Sequence, residues 1–99
     1  MIEQGTLLNF VGGSWQQADA PEGIAVHNPA TGEVLSTAPL SPARSVARAV
    51  EAAQQALPAW RRTPPGDRIQ PLFRLKALLD THFTEVARLI TQECGKTLG

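Results

Sequence analysis

The feature that most constrains the fold is a change of pattern at Ser41-Pro42. Before this point, apolar and β-branched residues occur in short runs bounded by Gly, Pro and Asn, a pattern typical of strands. After it, apolar residues recur at offsets of three and four, which is typical of amphipathic helices. The sequence therefore predicts an α+β chain, with β-hairpins over residues 7–38 and then three helices over residues 41–95.

Each of the two predicted hairpins turns at glycine. The first pairs residues 7–11 with residues 14–16 across Gly12-Gly13, where the missing Cβ atoms permit positive φ angles. The second pairs residues 24–27 with residues 33–37, and Pro29 and Gly32 supply the fixed and the left-handed positions of its turn. A polar loop over residues 17–23 joins the hairpins.

The first predicted helix has a start signal and a stop signal. Ser41 can cap free backbone amides, Pro42 suits the first helical position, and Pro58 is expected to end the helix. Between them, one face carries an apolar stripe made of Val46, Ala49, Val50, Ala53 and Leu57.

Two further helices are predicted after residue 63. In the first of them, Pro71 is awkward because a proline in a helix interior removes a hydrogen bond, so we expect a start near Asp67 or a kink. The last helix runs from about Thr81 to Cys94, and Gly95 closes it as a left-handed cap.

Composition bounds the size of the core and the class of protein. The chain has 99 residues, and alanines, which bury little area each, make up 14 of its hydrophobic residues. We therefore expect a thin core that needs a partner surface. A net charge of zero argues against a nucleic-acid or membrane coat. A single cysteine, no leader-like start and no long apolar run indicate a cytoplasmic, soluble protein with no nucleic-acid or membrane partner.

Two features near the end of the chain imitate functional motifs. Gly95-Lys96-Thr97 resembles the end of a phosphate-binding loop, but Ile90 occupies the position where that loop needs a glycine. Cys94 is a candidate nucleophile, yet it lies at a predicted helix C-terminus, where the dipole disfavours a thiolate. We interpret the triplet as a helix cap and Cys94 as a half-buried structural thiol.

The remaining candidates are isolated histidines and scattered arginines. His27 and His82 have no suitably spaced partner, so neither forms a metal pair. A basic strip for a phosphate-bearing cofactor is one reading of the arginines, and a solvated helix face is the other. These arginines are Arg61, Arg62, Arg68, Arg74 and Arg88.

Four segments in order resemble the amino-terminal region of the aldehyde dehydrogenase superfamily, namely residues 9–15, 28–34, 52–61 and 93–97. The second, Asn-Pro-Ala-Thr-Gly-Glu-Val, is the most distinctive, and the match extends from Leu8 to Leu98. The ending, together with Arg74-Leu75-Lys76, is most similar to the methylmalonate-semialdehyde dehydrogenase branch, which is CoA-acylating.

The resemblance implies part of an α/β enzyme with a Rossmann-like nucleotide-binding domain. Such an enzyme binds NAD or NADP, attacks an aldehyde or semialdehyde with a cysteine thiolate, and passes hydride to the nicotinamide; water or coenzyme A then takes the acyl group. In the family, the catalytic cysteine, the base and the nucleotide-binding glycines come later in the chain. No catalytic or cofactor-binding residue is therefore expected within residues 1–99, and the catalytic domain is expected to be absent.

The resemblance also implies a structural monovalent cation. Many family members hold it with backbone carbonyls before the Asn-Pro turn and an acid before the Gly-Lys pair. The matching positions are Val26, His27 and Glu93. Carbonyl and carboxylate oxygens suit a hard cation. The alternative for Glu93 is a surface salt bridge with Lys96.

Two functional hypotheses follow. In the first, the chain is a segment whose partner is the rest of an aldehyde dehydrogenase, which forms a homo-oligomer when intact; the isolated piece is then inactive. In the second, the chain is a truncated product or small interaction module whose exposed Trp15, Trp60, Phe73 and leucine stripes bind a partner protein. The end at Gly99, directly after a predicted cap, favours the first.

Overall fold

The computed structural model describes residues 5–98. The order of strands first and helices second is confirmed. The strands are β1 (Asn9–Val11), β2 (Ser14–Gln16), β3 (Gly23–His27) and β4 (Val34–Pro39), and the helices are α1 (Ala43–Arg62), α2 (Pro65–Arg68), α3 (Gln70–Thr81) and α4 (Phe83–Cys94).

The first hairpin pairs β1 with β2 in antiparallel register. Gly12 and Gly13 have φ angles of 60° and 83°, as the predicted turn requires. Phe10 lies opposite Trp15, with the ring centroids 5.0 Å apart. The first strand is shorter than predicted because the Leu7 amide donates to the Thr37 carbonyl at 2.8 Å and so belongs beside β4.

The second hairpin pairs β3 with β4, and its register shifts between Val26 and His27. Val26 lies opposite Ser36 and His27 opposite Val34, so β4 carries one extra residue, Leu35, at this point. A bulge of this kind bends the strand and interrupts the alternation of its faces. Leu35 and Ser36 are accordingly both buried although they are neighbours in the chain.

The start of α1 differs from the prediction. Ser41 does not cap the helix, because its hydroxyl oxygen accepts a hydrogen bond from the Asn9 Nδ2 at 2.9 Å. Pro42 is the N-cap residue rather than the first helical residue, and its carbonyl accepts from the Ser45 amide at 2.8 Å. A contact with the first hairpin has replaced the local cap.

The end of α1 also corrects the prediction, because the helix continues through Pro58 to Arg62. A proline inside a helix removes one donor and crowds one carbonyl, which can kink a helix without ending it. The last turn remains closed, since the Thr63 amide donates to the carbonyls of Ala59 and Trp60.

For the segment around Pro71 the sequence predicts a start near Asp67 or a kink, and the structure shows a helical start at Pro65 followed by an interruption at Ile69. The one-turn helix α2 begins at Pro65, and Ile69 separates it from α3. Pro71 then lies in the first turn of α3, where the missing amide hydrogen has no helical partner to lose. The last helix ends as predicted, with Gly95 in the left-handed region at φ 71°.

The described residues enclose very little core. Leu35 is their buried hydrophobic residue, whereas Trp15 and Phe83 are each 69% exposed. The Cα radius of gyration is 17.0 Å, and the molecule measures 48 × 37 × 16 Å. A compact domain of this length has a radius of gyration of about 13 Å. The chain is therefore flat and open, and the apolar stripes of α1, α3 and α4 stay uncovered. No helix in residues 5–98 is long and apolar enough to cross a membrane.

Candidate cation site

Two of the three predicted cation ligands, Val26 and His27, lie at the end of β3. Val26 and His27 directly precede the turn over residues 28–32, at the place where the ladder register shifts. A bulge disrupts regular pairing and leaves a residue outside the ladder. The extra residue here is Leu35 of β4, so the register shift lies directly beside Val26 and His27, whose carbonyls are the candidate ligands that the resemblance implies.

The turn that follows is held by its own hydrogen bonds. The Asn28 carbonyl accepts from the Gly32 amide at 2.7 Å and the Thr31 amide at 3.3 Å, and the Asn28 amide donates to the Glu33 carbonyl at 2.8 Å. The Asn28 side-chain oxygen accepts from the Ala30 amide at 2.9 Å. These bonds fix the conformation of the segment that carries Pro29.

The end of α4 lies against this turn. A Cβ built on Gly95 would be 3.1 Å from the Cγ of Pro29. Gly95 is two residues after Glu93, and Pro29 is two residues after His27, so Glu93 and His27 each lie within two residues of this contact. Glu93 is exposed, and no ion pair joins it to Lys96 among the residues described.

The available donors fit a hard cation better than a transition metal. Two backbone carbonyls and one carboxylate are oxygen ligands of the kind that such cations prefer. Within residues 5–98, no group of three or more His, Cys, Asp or Glu side chains could hold a metal ion. Three oxygens would leave coordination positions for water or for oxygens from other parts of a larger fold.

The structure explains the two features that resemble functional motifs, the Gly-Lys-Thr triplet and Cys94. Gly95 caps α4, with its amide donating to the Thr91 carbonyl at 2.9 Å, so the Gly-Lys-Thr triplet does not follow a strand as a phosphate loop would. Cys94 is exposed rather than half-buried as the sequence predicted.

The histidines and arginines do not form a second site. The His27 Nδ1 lies 3.3 Å from the Gly32 carbonyl oxygen, and the His82 Nδ1 lies 3.0 Å from the Glu85 Oε2. The arginines of the possible basic strip are spread over four helices, and all are exposed except the half-buried Arg68, whose Nε has no hydrogen-bond partner.

Two features were missed by sequence reasoning. Asp19 pairs with Arg44 at 2.7 Å and lies 3.7 Å from a nitrogen of Arg48, which ties the loop after β2 to α1. The four-residue spacing of the arginines was the sequence signal that could have predicted this pair.

The second feature is an open apolar cavity of about 440 Å³ beside α4, where residues after the helix fold back along its apolar stripe. Its lining includes Leu79, Phe83, Val86, Ile90 and Leu98.

Comparison with known proteins identifies the family of this chain. The model of the aldehyde dehydrogenase family matches residues 15–99. Malonate-semialdehyde dehydrogenase 3 from Geobacillus kaustophilus is 46% identical over 96 residues, which cover 97% of this chain and 20% of that protein. Malonate-semialdehyde dehydrogenase from Pseudomonas aeruginosa is 42% identical over 94 residues, or 95% of this chain and 19% of that protein.

Solved structures agree with the sequence matches. A crystal structure from Sinorhizobium meliloti 1021, described as a methylmalonate-semialdehyde dehydrogenase complexed with NAD, superposes with a TM-score of 0.90 at 32% identity. The match covers 99% of this chain and 20% of that one. The chain thus spans about a fifth of the length of the relatives it matches. From its sequence and its fold, this chain belongs to the aldehyde dehydrogenase family.

Proposed function

We propose that this chain is the amino-terminal segment of an NAD(P)-dependent aldehyde dehydrogenase that oxidises a semialdehyde. The observation that carries the proposal is the family match over residues 15–99. The identity of 42–46% to malonate-semialdehyde dehydrogenases and the structural likeness to the protein from Sinorhizobium meliloti favour a malonate- or methylmalonate-semialdehyde substrate. Coenzyme A as the acyl acceptor is what the resemblance to the methylmalonate-semialdehyde branch implies.

In this proposal, the hairpins over residues 7–38 and the helices over residues 41–95 form the edge of a larger enzyme. The remainder of the fold covers the apolar stripes and supplies the nucleophile, the base and the NAD(P) site. The small core of the described chain, whose buried hydrophobic residue is Leu35, supports this arrangement. We further propose a homo-oligomer in the cytoplasm, a compartment that keeps an exposed thiol such as Cys94 reduced.

We also propose that Val26, His27 and Glu93 contribute to a monovalent cation site in the full-length enzyme. The approach of Gly95 to Pro29, which brings the end of α4 to the turn after His27, supports it. The role of the cation is structural: it would join the β3–β4 turn to the end of α4.

The activity is tested on the full-length enzyme that contains this chain. Purified protein is mixed with malonate semialdehyde or methylmalonate semialdehyde and NAD, with and without coenzyme A, while NADH absorbance is followed. We expect NADH to form, and we expect coenzyme A to be consumed in equal amount. A folded full-length protein that binds NAD but oxidises neither semialdehyde would contradict the proposed substrate class.

The isolated chain of residues 1–99 is predicted to be inactive. Aldehyde oxidation needs an activated thiolate, an oxyanion donor and a held cofactor within a few ångströms of one another. Among residues 5–98, no base is hydrogen-bonded to the thiol of Cys94. Any hydride transfer to NAD or NADP by the purified piece would overturn this prediction.

A second candidate function is a small protein-interaction module. The exposed Trp15, Trp60 and Phe73 favour it, since large apolar side chains at a surface mark contact sites. Sequencing the transcript beyond Gly99 separates the two candidates. A continuing reading frame supports the enzyme segment, whereas a stop codon together with a monodisperse, cooperatively folding 99-residue product supports the module.

A further inference from the structure

We infer that Gly95 is a positioning residue for the proposed cation site. Its missing side chain lets the end of α4 approach the β3–β4 turn closely enough for Glu93 to act together with the carbonyls of Val26 and His27. This inference rests on the cation site proposed above, and its test separates the failure of one from the failure of the other.

The first observation is the contact at Gly95. A Cβ at this position would lie 3.1 Å from the Cγ and 4.0 Å from the Cβ of Pro29. Ordinary contacts between carbon atoms are about 3.5–4.0 Å long. Because the pyrrolidine ring is closed onto the backbone, Pro29 cannot rotate away as a flexible side chain would. A side chain at residue 95 would therefore push the two segments apart.

The second observation concerns which segment would move. The turn over residues 28–32 is fixed by hydrogen bonds to Asn28, which include the 2.7 Å bond from the Gly32 amide. The end of α4 is exposed at Glu93 and Cys94. The displacement would consequently fall on α4 and carry Glu93 with it. Metal sites are sensitive to ligand displacements of about 0.2 Å, so a shift of a few tenths of an ångström matters.

The left-handed backbone at Gly95 is a separate effect, which the choice of variant reduces. Asn tolerates this conformation better than other residues with a Cβ, so Gly95→Asn introduces the contact with less backbone strain. Gly32→Asn is the matched control, because Gly32 has a similar φ of 74° but a Cβ there would have nothing within 4 Å. Pro29→Ala in the Gly95→Asn background removes the Cγ and should restore the fit.

The experiment measures the thermal unfolding midpoint of the full-length enzyme as KCl replaces choline chloride at constant ionic strength. We expect the midpoint of the unmodified enzyme to rise with K⁺, and Gly95→Asn to need about tenfold more K⁺ for the same rise, as for other residues that orient metal ligands. Gly32→Asn should respond like the unmodified enzyme. The double variant Gly95→Asn/Pro29→Ala should regain the original K⁺ dependence.

Glu93→Gln separates the possible failures. If the unmodified enzyme shows no specific K⁺ effect, or Glu93→Gln keeps the full effect, the cation site itself is wrong. If Glu93→Gln loses the effect but Gly95→Asn keeps it at unchanged K⁺ concentrations, the site stands and the positioning role of Gly95 is overturned. If Gly95→Asn is too unstable to purify, a folded double variant with weakened K⁺ dependence also overturns that role, and one with the original dependence supports it.

Discussion

Asp19 joins the loop between the hairpins to the first turns of α1. Its Oδ2 accepts from the Nε of Arg44 at 2.8 Å, and Arg48, one turn further along the helix, lies within 3.7 Å. All three side chains are about 60% exposed. Solvent screens such pairs, so they orient a loop more than they stabilise a fold.

We therefore predict a local effect for Asp19→Ala. Amides in the loop over residues 17–22 should exchange hydrogen faster in the full-length enzyme, while the free energy of unfolding changes by less than about 1 kcal/mol. Glu22→Ala is the control, since the Glu22 side chain forms no ion pair in the described structure. Hydrogen–deuterium exchange measures the difference. Equal exchange in the two variants would mean that the ion pair does not order the loop.

At the scale of elements, α1 is the longest helix of the described chain, and its proline lies at an interior position, where proline destabilises a helix. Pro58 lies inside the helix, whereas Pro71 lies in the first turn of α3. A proline in a helix interior costs up to about 3 kcal/mol relative to alanine, but a proline in the first turn loses no helical hydrogen bond. Two prolines in neighbouring helices thus have opposite consequences.

Replacing each proline by alanine tests this contrast. Pro58→Ala should raise the helix content of the isolated chain, because it restores a donor in the helix interior. Pro71→Ala should leave the helix content nearly unchanged. Far-ultraviolet circular dichroism with a thermal scan measures both. A larger gain from Pro71→Ala than from Pro58→Ala would contradict the assignment of their positions.

At the scale of the whole molecule, the hairpins and helices form a flat structure whose apolar side chains are largely exposed. Leu35 is buried, but Val50, Leu57, Leu72 and Leu78 are each more than half exposed. Burial of such side chains is worth about 1.5–3 kcal/mol each, which this chain obtains only against another surface. The shape therefore agrees with the proposal that a larger fold covers it.

We predict that the isolated chain behaves as an incompletely packed protein. It should bind the dye 1-anilinonaphthalene-8-sulfonate and unfold without a sharp transition, as proteins with exposed apolar surface do. Emission from Trp15 and Trp60, which are 69% and 48% exposed, should be red-shifted relative to the full-length enzyme. A monomeric isolated chain that unfolds cooperatively without binding the dye would instead favour the interaction module.

Much of the local structure was readable from the sequence. The glycines at the hairpin turns, the apolar stripes and Gly95 as the cap of α4 follow from backbone sterics and side-chain spacing, which act over a few residues. The family was also readable, since residues 28–34 form a distinctive string. The sequence by itself therefore determined the order and type of the elements.

Other features depended on contacts between distant segments. Ser41 binds Asn9 instead of capping α1, Leu7 joins β4 instead of β1, and Cys94 is exposed. The approach of Gly95 to Pro29, on which the positioning of Glu93 rests, spans 66 residues of sequence. Secondary-structure propensities describe neighbouring residues and do not describe contacts between distant ones. These contacts form only when the hairpins and helices pack together. Tertiary structure alone therefore decided which side chains contact one another and which remain exposed, where another surface could cover them.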